Sequence, residues 1–238
     1  INFSASSSSL KKGESFKDTA QNIEAMKIDA VVMRHPIPGA PKHLQEFIDA
    51  IIINAGDGAH EHPTQAILDM VSLHEKFNRL KGLKIGIVGD IAHSRVALSN
   101  IYGLTTMGAK VMLCGPPNLI PKHMVDLNVD SSSNIDEIIE WADALNILRI
   151  QKERMGLTLV PSKREYRATF GITKERMEKH KKEIVIMHPG PMNRGVEIDG
   201  FVADSDQAII LDQVLNGVAS RMAVLYLLCG GKSRDGDT

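Results

Sequence analysis

The fold is constrained most by residues 54–65, which read Asn-Ala-Gly-Asp-Gly-Ala-His-Glu-His-Pro-Thr-Gln. An apolar, β-branched run at residues 50–53 precedes this stretch and predicts a strand, and the apolar-periodic residues 66–71 that follow predict a helix. The glycines permit a tight turn, and Pro63 suits the first turn of a helix because it lacks an N–H group that would have no partner there. A strand, a turn and a helix in this order predict an α/β protein.

The same turn places polar side chains where α/β proteins bind ligands. It brings His62, Thr64 and Gln65 to a helix N-terminus, where free backbone N–H groups and the helix dipole favour negative charge. The alternative is an ordinary connecting loop whose polar residues only cap the helix. The local sequence leaves both interpretations open.

Strands and helices alternate along the rest of the chain. Further strands are expected at residues 29–33 (a buried parallel strand), 84–90 with the loop that follows, 110–114, 144–148 and 184–187. Helices are expected at residues 16–26, 43–47, 64–77, 94–104, 135–142 and 174–183, and residues 208–229 predict a helix pair interrupted near Asn216 and Gly217, with an apolar face formed by Val218, Met222, Leu225 and Leu228. This alternation predicts parallel sheets flanked by helices.

Composition excludes some classes of function. Lys plus Arg total 28 and Asp plus Glu 29, a net charge of 28 − 29 = −1, which argues against nucleic-acid and membrane surfaces. The glycines after residue 84 lack the G-x-G-x-x-G spacing, so we expect no nicotinamide or flavin cofactor. Cys114 and Cys229 both lie in apolar runs and predict buried free thiols in a reducing compartment, the cytoplasm. Because the chain begins on Ile1 in a strand-like run, we expect it to be the later part of a longer polypeptide.

Polar loops follow several of the predicted strands. Arg34 ends the strand at residues 29–33, and residues 149–154 and 188–195 follow the strands at 144–148 and 184–187. Ligands of parallel α/β sheets bind at this carboxyl edge. The serine-rich residues 4–9 and the basic residues 10–15 are typical of a flexible loop, although they precede a helical segment and are therefore tethered.

Four signatures in these loops resemble the aspartate carbamoyltransferase family. They are Ser-Leu-Lys-Lys-Gly-Glu at residues 9–14, Met-Arg-His-Pro at 33–36, Asn-Ala-Gly-Asp-Gly with His-Pro-Thr-Gln at 54–65, and Arg-Ile-Gln-Lys-Glu-Arg at 149–154 followed by His-Pro-Gly-Pro at 188–191. The resemblance implies transfer of a carbamoyl group from carbamoyl phosphate to L-aspartate in pyrimidine synthesis, with no cofactor and no metal. It implies two Rossmann-like α/β domains: an incomplete carbamoyl-phosphate-binding domain at 1–73, completed by a helix at 206–229, and an aspartate-binding domain at 74–205. Residues 230–238 are expected to be a disordered tail.

The resemblance also implies roles for individual residues. Arg34, His62 and Gln65 match the family's catalytic positions. Carbamoyl phosphate would be bound by Ser8, Lys12, Arg34, His62, Gln65, Pro189 and Gly190, and aspartate by Lys12, Arg95, Arg149, Gln151, Gly190 and Pro191. The family positions of Ser8 and Lys12 reach the site of a neighbouring subunit, which implies a homotrimer, and regulatory or dihydroorotase chains are further partners known for the family.

One departure keeps alternatives open. The family carries a Ser-Thr-Arg-Thr phosphate loop upstream of the serine-rich segment, and this sequence begins after that place. The chain is then either a fragment of a complete enzyme or a truncated, catalytically silent subunit. Ornithine carbamoyltransferase is the nearest rival, but that family has a His-Cys-Leu-Pro turn where this chain has His-Pro-Gly-Pro at residues 188–191.

Overall fold

A computed structural model describes residues 15–150 and 162–230. In chain order the elements are α1 (Phe16–Ala25), β1 (Ala30–His35), α2 (Ala40–Leu44), β2 (Ile51–Asp57), α3 (Pro63–Phe77), β3 (Lys84–Val88), α4 (Arg95–Thr106), β4 (Lys110–Cys114), β5 (Asp130–Ser132), α5 (Ile135–Trp141), β6 (Ala144–Ile147), α6 (Lys163–Phe170), α7 (Lys174–His180), β7 (Val185–Met187), α8 (Gly200–Ala203) and α9 (Ile210–Cys229). Short 3₁₀ segments lie at Pro117–Leu119 and Lys122–Leu127. Ser8, Lys12, Gln151 and residues 231–238 of the tail predicted at 230–238 lie outside the described residues.

The larger sheet has five parallel strands in the order β5-β4-β3-β6-β7. Its apolar side chains are buried on both faces: Ile87 and Leu113 belong to one core cluster, and Val88 and Leu145 belong to the other. Strands covered on both sides explain the nearly continuous apolar runs from which they were predicted. The predicted α/β fold with parallel sheets flanked by helices is confirmed.

The smaller sheet pairs β1 with β2 in parallel, with Ala30 opposite Ile51. The parallel strand predicted at residues 29–33 is present as β1, but the prediction that it is buried is wrong, because Val32 is 63% exposed. Within the described residues β1 pairs only with β2 and therefore has an open edge. Strand β2 runs on to Asp57, so the first residues of the predicted turn continue the strand and the turn itself is short.

The helix pair predicted at residues 208–229 is wrong, because Ile210–Cys229 form one unbroken helix, α9. Asn216 and Gly217 lie on the face that packs against α3, where Asn216 Nδ2 donates to Ser72 Oγ at 3.0 Å. A Cβ on Gly217 would lie 2.6 Å from Arg221 Nη1 of the same helix and 3.3 Å from Leu68 Cδ2 of α3, so glycine serves close packing at this position and does not break the helix.

The apolar face of α9 predicted from Val218, Met222, Leu225 and Leu228 is present and lies exposed in the structure. The exposed large side chains are Leu211, Val214, Leu215, Val218, Met222, Leu225, Tyr226, Leu227 and Leu228. The buried side carries small and polar residues, among them Gln213 and Ser220. Cys229 is also exposed, at the end of this helix, whereas Cys114 is buried as predicted and burial raises the pKa of its thiol to about 12. Within the described residues, none of the helices is both long enough and apolar enough to span a bilayer.

Candidate active site

Loops from both sheets meet at a cleft of about 520 Å³. Its walls come from the ends of β1, β2, β3, β6 and β7 and the starts of α3 and α4. The lining residues are Arg34, Pro36, Gly58, Ala59, His62, Gln65, Asp90, His93, Ser94, Arg95, Val96, Leu148, Arg149, Pro189, Gly190 and Pro191. Carboxyl ends of parallel strands supply this wall, as they do in open α/β folds generally.

The turn after β2 is organised by the buried carboxylate of Asp57. Asp57 Oδ1 accepts from Asn54 Nδ2 at 3.0 Å and from the Glu61 N–H at 2.9 Å, and Oδ2 accepts from the Gly39 N–H at 2.7 Å. Burial opposes ionisation, but these bonds and one with His60 outweigh it, so the pKa of Asp57 is lowered. The ionised carboxylate ties the turn to the residues after β1 and so fixes the backbone that leads to α3.

Gly56 allows an arginine to lie directly on this turn. It has φ +120°, and a Cβ there would lie 2.7 Å from Arg95 Nε. Arg95 follows the N-cap Ser94 of α4, whose Oγ accepts from the Ala97 N–H at 3.2 Å. Arg95 Nη1 also lies 3.4 Å from the carbonyl oxygen of Gly58. Arg95, which belongs to a helix next to the larger sheet, therefore contacts the turn that follows strand β2 of the smaller sheet.

His62 lies at the N-cap position of α3, but its side chain makes no capping hydrogen bond. Its backbone N–H donates to Ser99 Oγ at 2.8 Å. Burial, then the positive charges of Arg95, Arg221 and Arg34, lower the pKa of His62 to about 4. The imidazole is therefore neutral at neutral pH and offers the cleft a hydrogen bond without a charge. The capping interpretation of this residue finds no support in the geometry.

The cleft gathers positive charge. Arg34, Arg95 and Arg149 all line it. Burial and the charge of Arg34 lower the pKa of Arg95, and Asp57 acts in the opposite direction. Guanidinium groups that disfavour one another in this way are stabilised when an anion lies between them.

Gln65 is buried at the base of the cleft and is held from beneath. Its Nε2 donates to Asp69 Oδ1 at 3.0 Å within the same helix. Its backbone N–H donates to the His62 carbonyl at 3.0 Å. Among the described residues, Gln65 is the only residue of α3 that lines the cleft, and the N-cap residue His62 lines it as well.

The loop after β7 forms the opposite wall. Its fully buried His188 accepts at Nδ1 from the Gly190 N–H at 2.9 Å, and the His188 N–H donates to Gln213 Oε1 at 2.9 Å. His188 Nε2 lies 3.4 Å from the buried Glu197 Oε1. Pro189, Gly190 and Pro191 line the cleft from this anchored base.

The structure brings most of the predicted site residues together. Arg34, His62, Gln65, Arg95, Arg149, Pro189, Gly190 and Pro191 all line one cleft, whereas Ser8, Lys12 and Gln151 lie outside the described residues. The sequence interpretation missed Asp90 and His93, which also line the cleft and contact each other at 2.8 Å through His93 Nδ1. Arg221 was missed too, although its charge acts on His62. The strand-end position of Asp90 was an available signal, whereas Arg221 lies in a helix far along the chain and gave none.

Two family models match the chain. The model of the aspartate/ornithine carbamoyltransferase carbamoyl-P binding domain matches residues 1–75, and that of the Asp/Orn binding domain matches residues 81–228. A curated relative from Christiangramia forsetii, an aspartate carbamoyltransferase catalytic subunit, is 60% identical over 96% of this chain and 74% of its own length. The catalytic subunit from Gemmatimonas aurantiaca is 55% identical over 98% of this chain and 73% of its own length.

Solved structures give the same result. Aspartate transcarbamoylase from Trypanosoma cruzi in complex with N-(phosphonacetyl)-L-aspartic acid superposes with a TM-score of 0.83 at 30% identity, covering 95% of this chain and 74% of that one. The catalytic subunit of M. jannaschii aspartate transcarbamoylase superposes with a TM-score of 0.79 at 34% identity, covering 97% of this chain and 76% of that one.

Proposed function

The chain belongs to the aspartate carbamoyltransferase family, and from this premise we propose that it transfers the carbamoyl group of carbamoyl phosphate to L-aspartate. The products are N-carbamoyl-L-aspartate and phosphate, in de novo pyrimidine biosynthesis. The amine nitrogen attacks the carbamoyl carbon and forms a C–N bond, the C–O bond to phosphate breaks, and the amine proton leaves with the phosphate. The observation that carries the proposal is the convergence of Arg34, His62, Gln65, Arg95 and Arg149 on one cleft.

Negative charge develops on the carbamoyl oxygen during the attack. Arg34 and His62 are proposed to donate hydrogen bonds to this oxygen, His62 as a neutral imidazole because its pKa is lowered to about 4. Loss of one such donor typically costs about 2.7 to 4 kcal/mol of transition-state stabilisation. No proton transfer by His62 is required, since the departing phosphate accepts the proton.

The carbamoyl amino group needs acceptors. Gln65 Oε1 and backbone carbonyls of the turn at Pro189, Gly190 and Pro191 are proposed to supply them. Gln65 directs its Nε2 to Asp69, which turns Oε1 the other way. Carbonyl oxygens accept and cannot donate, so this wall selects a group that carries N–H.

Aspartate brings two carboxylates, which forked guanidinium groups bind well. Arg95 and Arg149 are proposed to bind them, with support from Gln151, which lies outside the described residues. A cluster of arginines disfavours the cationic side chain of ornithine, so the ornithine alternative has no support from this cleft.

The remaining proposals concern assembly. Residues 1–73 with 206–229 are proposed to form the carbamoyl-phosphate domain and 74–205 the aspartate domain, because α9 packs on α3. By resemblance, Ser8 and Lys12 bind ligand in a neighbouring subunit of a homotrimer. Mixing a Lys12→Ala variant with an Arg149→Met variant then restores part of the activity that each lacks alone, because hybrid trimers contain some intact sites.

The function is tested by measuring N-carbamoyl-L-aspartate formed from carbamoyl phosphate, with L-ornithine as the competing acceptor. We expect product from aspartate only. N-(phosphonacetyl)-L-aspartate should raise the melting temperature of the protein, because a ligand that binds only the folded state stabilises it. Absence of both product and thermal shift would support a catalytically silent subunit, and citrulline formation would support the ornithine alternative.

A further inference from the structure

A fully buried carboxylate lies directly behind the cleft. Asp69 has 0% exposure and belongs to the polar side chains of α3 that face the molecule's interior. Within the described residues its partners are all side-chain amides and none is a cation. Burial raises the pKa of this carboxyl group, and the hydrogen bonds from the amide side chains act in the opposite direction.

Four amide N–H groups converge on Asp69 from four elements. Oδ1 accepts from Gln65 Nε2 at 3.0 Å and from Gln213 Nε2 at 2.8 Å. Oδ2 accepts from Asn100 Nδ2 at 2.8 Å and from Asn146 Nδ2 at 3.2 Å. These residues lie on α3, α9, α4 and β6, so one carboxylate joins helices on both sides of the cleft.

The carboxylate determines which way each amide points. An amide side chain has a donor end and an acceptor end, and both Asp69 oxygens accept in all four hydrogen bonds. Gln65 must therefore direct Nε2 to Asp69 and its oxygen away. Gln213 does the same, and its Oε1 then accepts the His188 N–H at 2.9 Å, at the base of the opposite wall.

We propose that Asp69 is a positioning residue that orients the Gln65 amide with its oxygen toward the cleft, and that this orientation sets the preference for a carbamoyl donor over its acetyl isostere. The inference rests on the proposed function, in which Gln65 Oε1 accepts from the carbamoyl amino group. Acetyl phosphate has a methyl group where carbamoyl phosphate has an amino group, and a methyl group cannot donate to an oxygen. Through Gln213, the same carboxylate supports the loop that carries the backbone carbonyls.

Substitution of the carboxylate by an amide separates orientation from packing. In Asp69→Asn one oxygen becomes an NH₂ group, so either the Gln65 and Gln213 pair or the Asn100 and Asn146 pair faces a donor. If the Gln65 and Gln213 pair turns, Gln213 Oε1 loses the hydrogen bond that it accepts from the His188 N–H at 2.9 Å. If the Asn100 and Asn146 pair turns, Asn100 Nδ2 loses its hydrogen bond to the Val96 carbonyl at 3.1 Å. The Gln65 amide is then no longer held in one orientation.

The readout is the ratio of dissociation constants for phosphonoacetamide and acetonylphosphonate, which are unreactive analogues with an amino and a methyl group. Asp69→Asn should lower the preference for phosphonoacetamide at least tenfold, toward the value in Gln65→Met, which lacks the oxygen. Asp69→Asn with Asn100→Asp should restore it, because a carboxylate at position 100 attracts the new NH₂ group and returns the oxygen to Gln65.

The matched control is Asp143→Asn. Asp143 Oδ2 accepts the Lys84 N–H at 3.0 Å at the opposite end of the larger sheet, so the same substitution perturbs the structure without touching the cleft. Its preference ratio should equal that of the unmodified protein. An unchanged ratio in folded Asp69→Asn, or an equal loss in Asp143→Asn, overturns the inference.

A measurement on the unmodified protein covers the case in which Asp69→Asn does not fold. Nitrogen-15 NMR, with the Gln65 NH₂ signal assigned by its loss in Gln65→Met, should show slow hydrogen exchange because Nε2 points into the interior. Exchange at the rate of an exposed amide overturns the inference. If the unmodified protein bound neither analogue and transferred no carbamoyl group, the proposed function would fail instead.

Discussion

The neutral state of His62 makes a quantitative prediction about stability and pH. Its pKa falls from 6.5 to about 4 in the folded protein, mainly through burial and secondarily through Arg95, Arg221 and Arg34. The unfolded chain therefore takes up a proton as the pH drops below about 6.5, whereas the folded protein takes it up only near pH 4. The stabilising contribution is complete above the unfolded pKa and is lost as the pH falls toward the folded one.

The magnitude follows from the two pKa values. At pH 5 the unfolded imidazole is almost fully protonated and the folded one mostly neutral, which costs about 2 kcal/mol of unfolding free energy. His62→Gln removes this titration while keeping a neutral N–H donor. The unmodified protein should therefore lose about 2 kcal/mol more than His62→Gln between roughly pH 7.5 and pH 5.

Urea unfolding at the two pH values, for both proteins, provides the test. Because burial is the largest cause, high salt should reduce the difference only in part by screening the arginines. Parallel pH dependence in the two proteins would mean that His62 has an ordinary pKa in the cleft and is not held neutral there.

Three further predictions concern the cleft. Gly56→Ala should raise the KM for aspartate at least tenfold, because the new Cβ would lie 2.7 Å from Arg95 Nε. Gly82→Ala is the control, also at a positive φ (+78°) but with its nearest neighbour 4.0 Å away, and it should leave the KM unchanged. Asp57→Asn should lower the unfolding free energy by about 1 to 3 kcal/mol at neutral pH. Because the folded pKa of Asp57 is lowered, this deficit should shrink as acid protonates Asp57 in the unmodified protein. An equal deficit at all pH values in urea titrations would contradict this prediction. Arg149→Met should weaken aspartate binding at least tenfold in calorimetry and leave phosphonoacetamide binding intact. If the substitution abolished binding of both ligands, Arg149 would not belong specifically to the aspartate subsite.

Local pattern was sufficient to locate the strand ends that form the cleft. Continuous apolar runs predicted β3, β4, β6 and β7, and in a parallel sheet the residues after such strands meet at one edge. This is why Arg149 and Pro189, distant in the chain, were predicted to share a site and do line the same cleft.

Long-range packing was beyond the reach of local pattern. Gly217 is a helix breaker by propensity, but close contact with Leu68 of α3 overrides that tendency and α9 is continuous. Val32 was predicted to be buried from its neighbours in sequence, whereas burial depends on which strands pair with β1. Asp69 resembled any polar residue of an amphipathic helix, and only its four amide partners from distant segments reveal its role.

The decisive experiment is a crystal structure with N-(phosphonacetyl)-L-aspartate bound. We expect the ligand in the cleft, with its carbonyl oxygen within hydrogen-bond distance of Arg34 and His62 and its aspartyl carboxylates on Arg95 and Arg149. A ligand bound elsewhere, or bound in the cleft without contacting these side chains, would rule out the proposed active site.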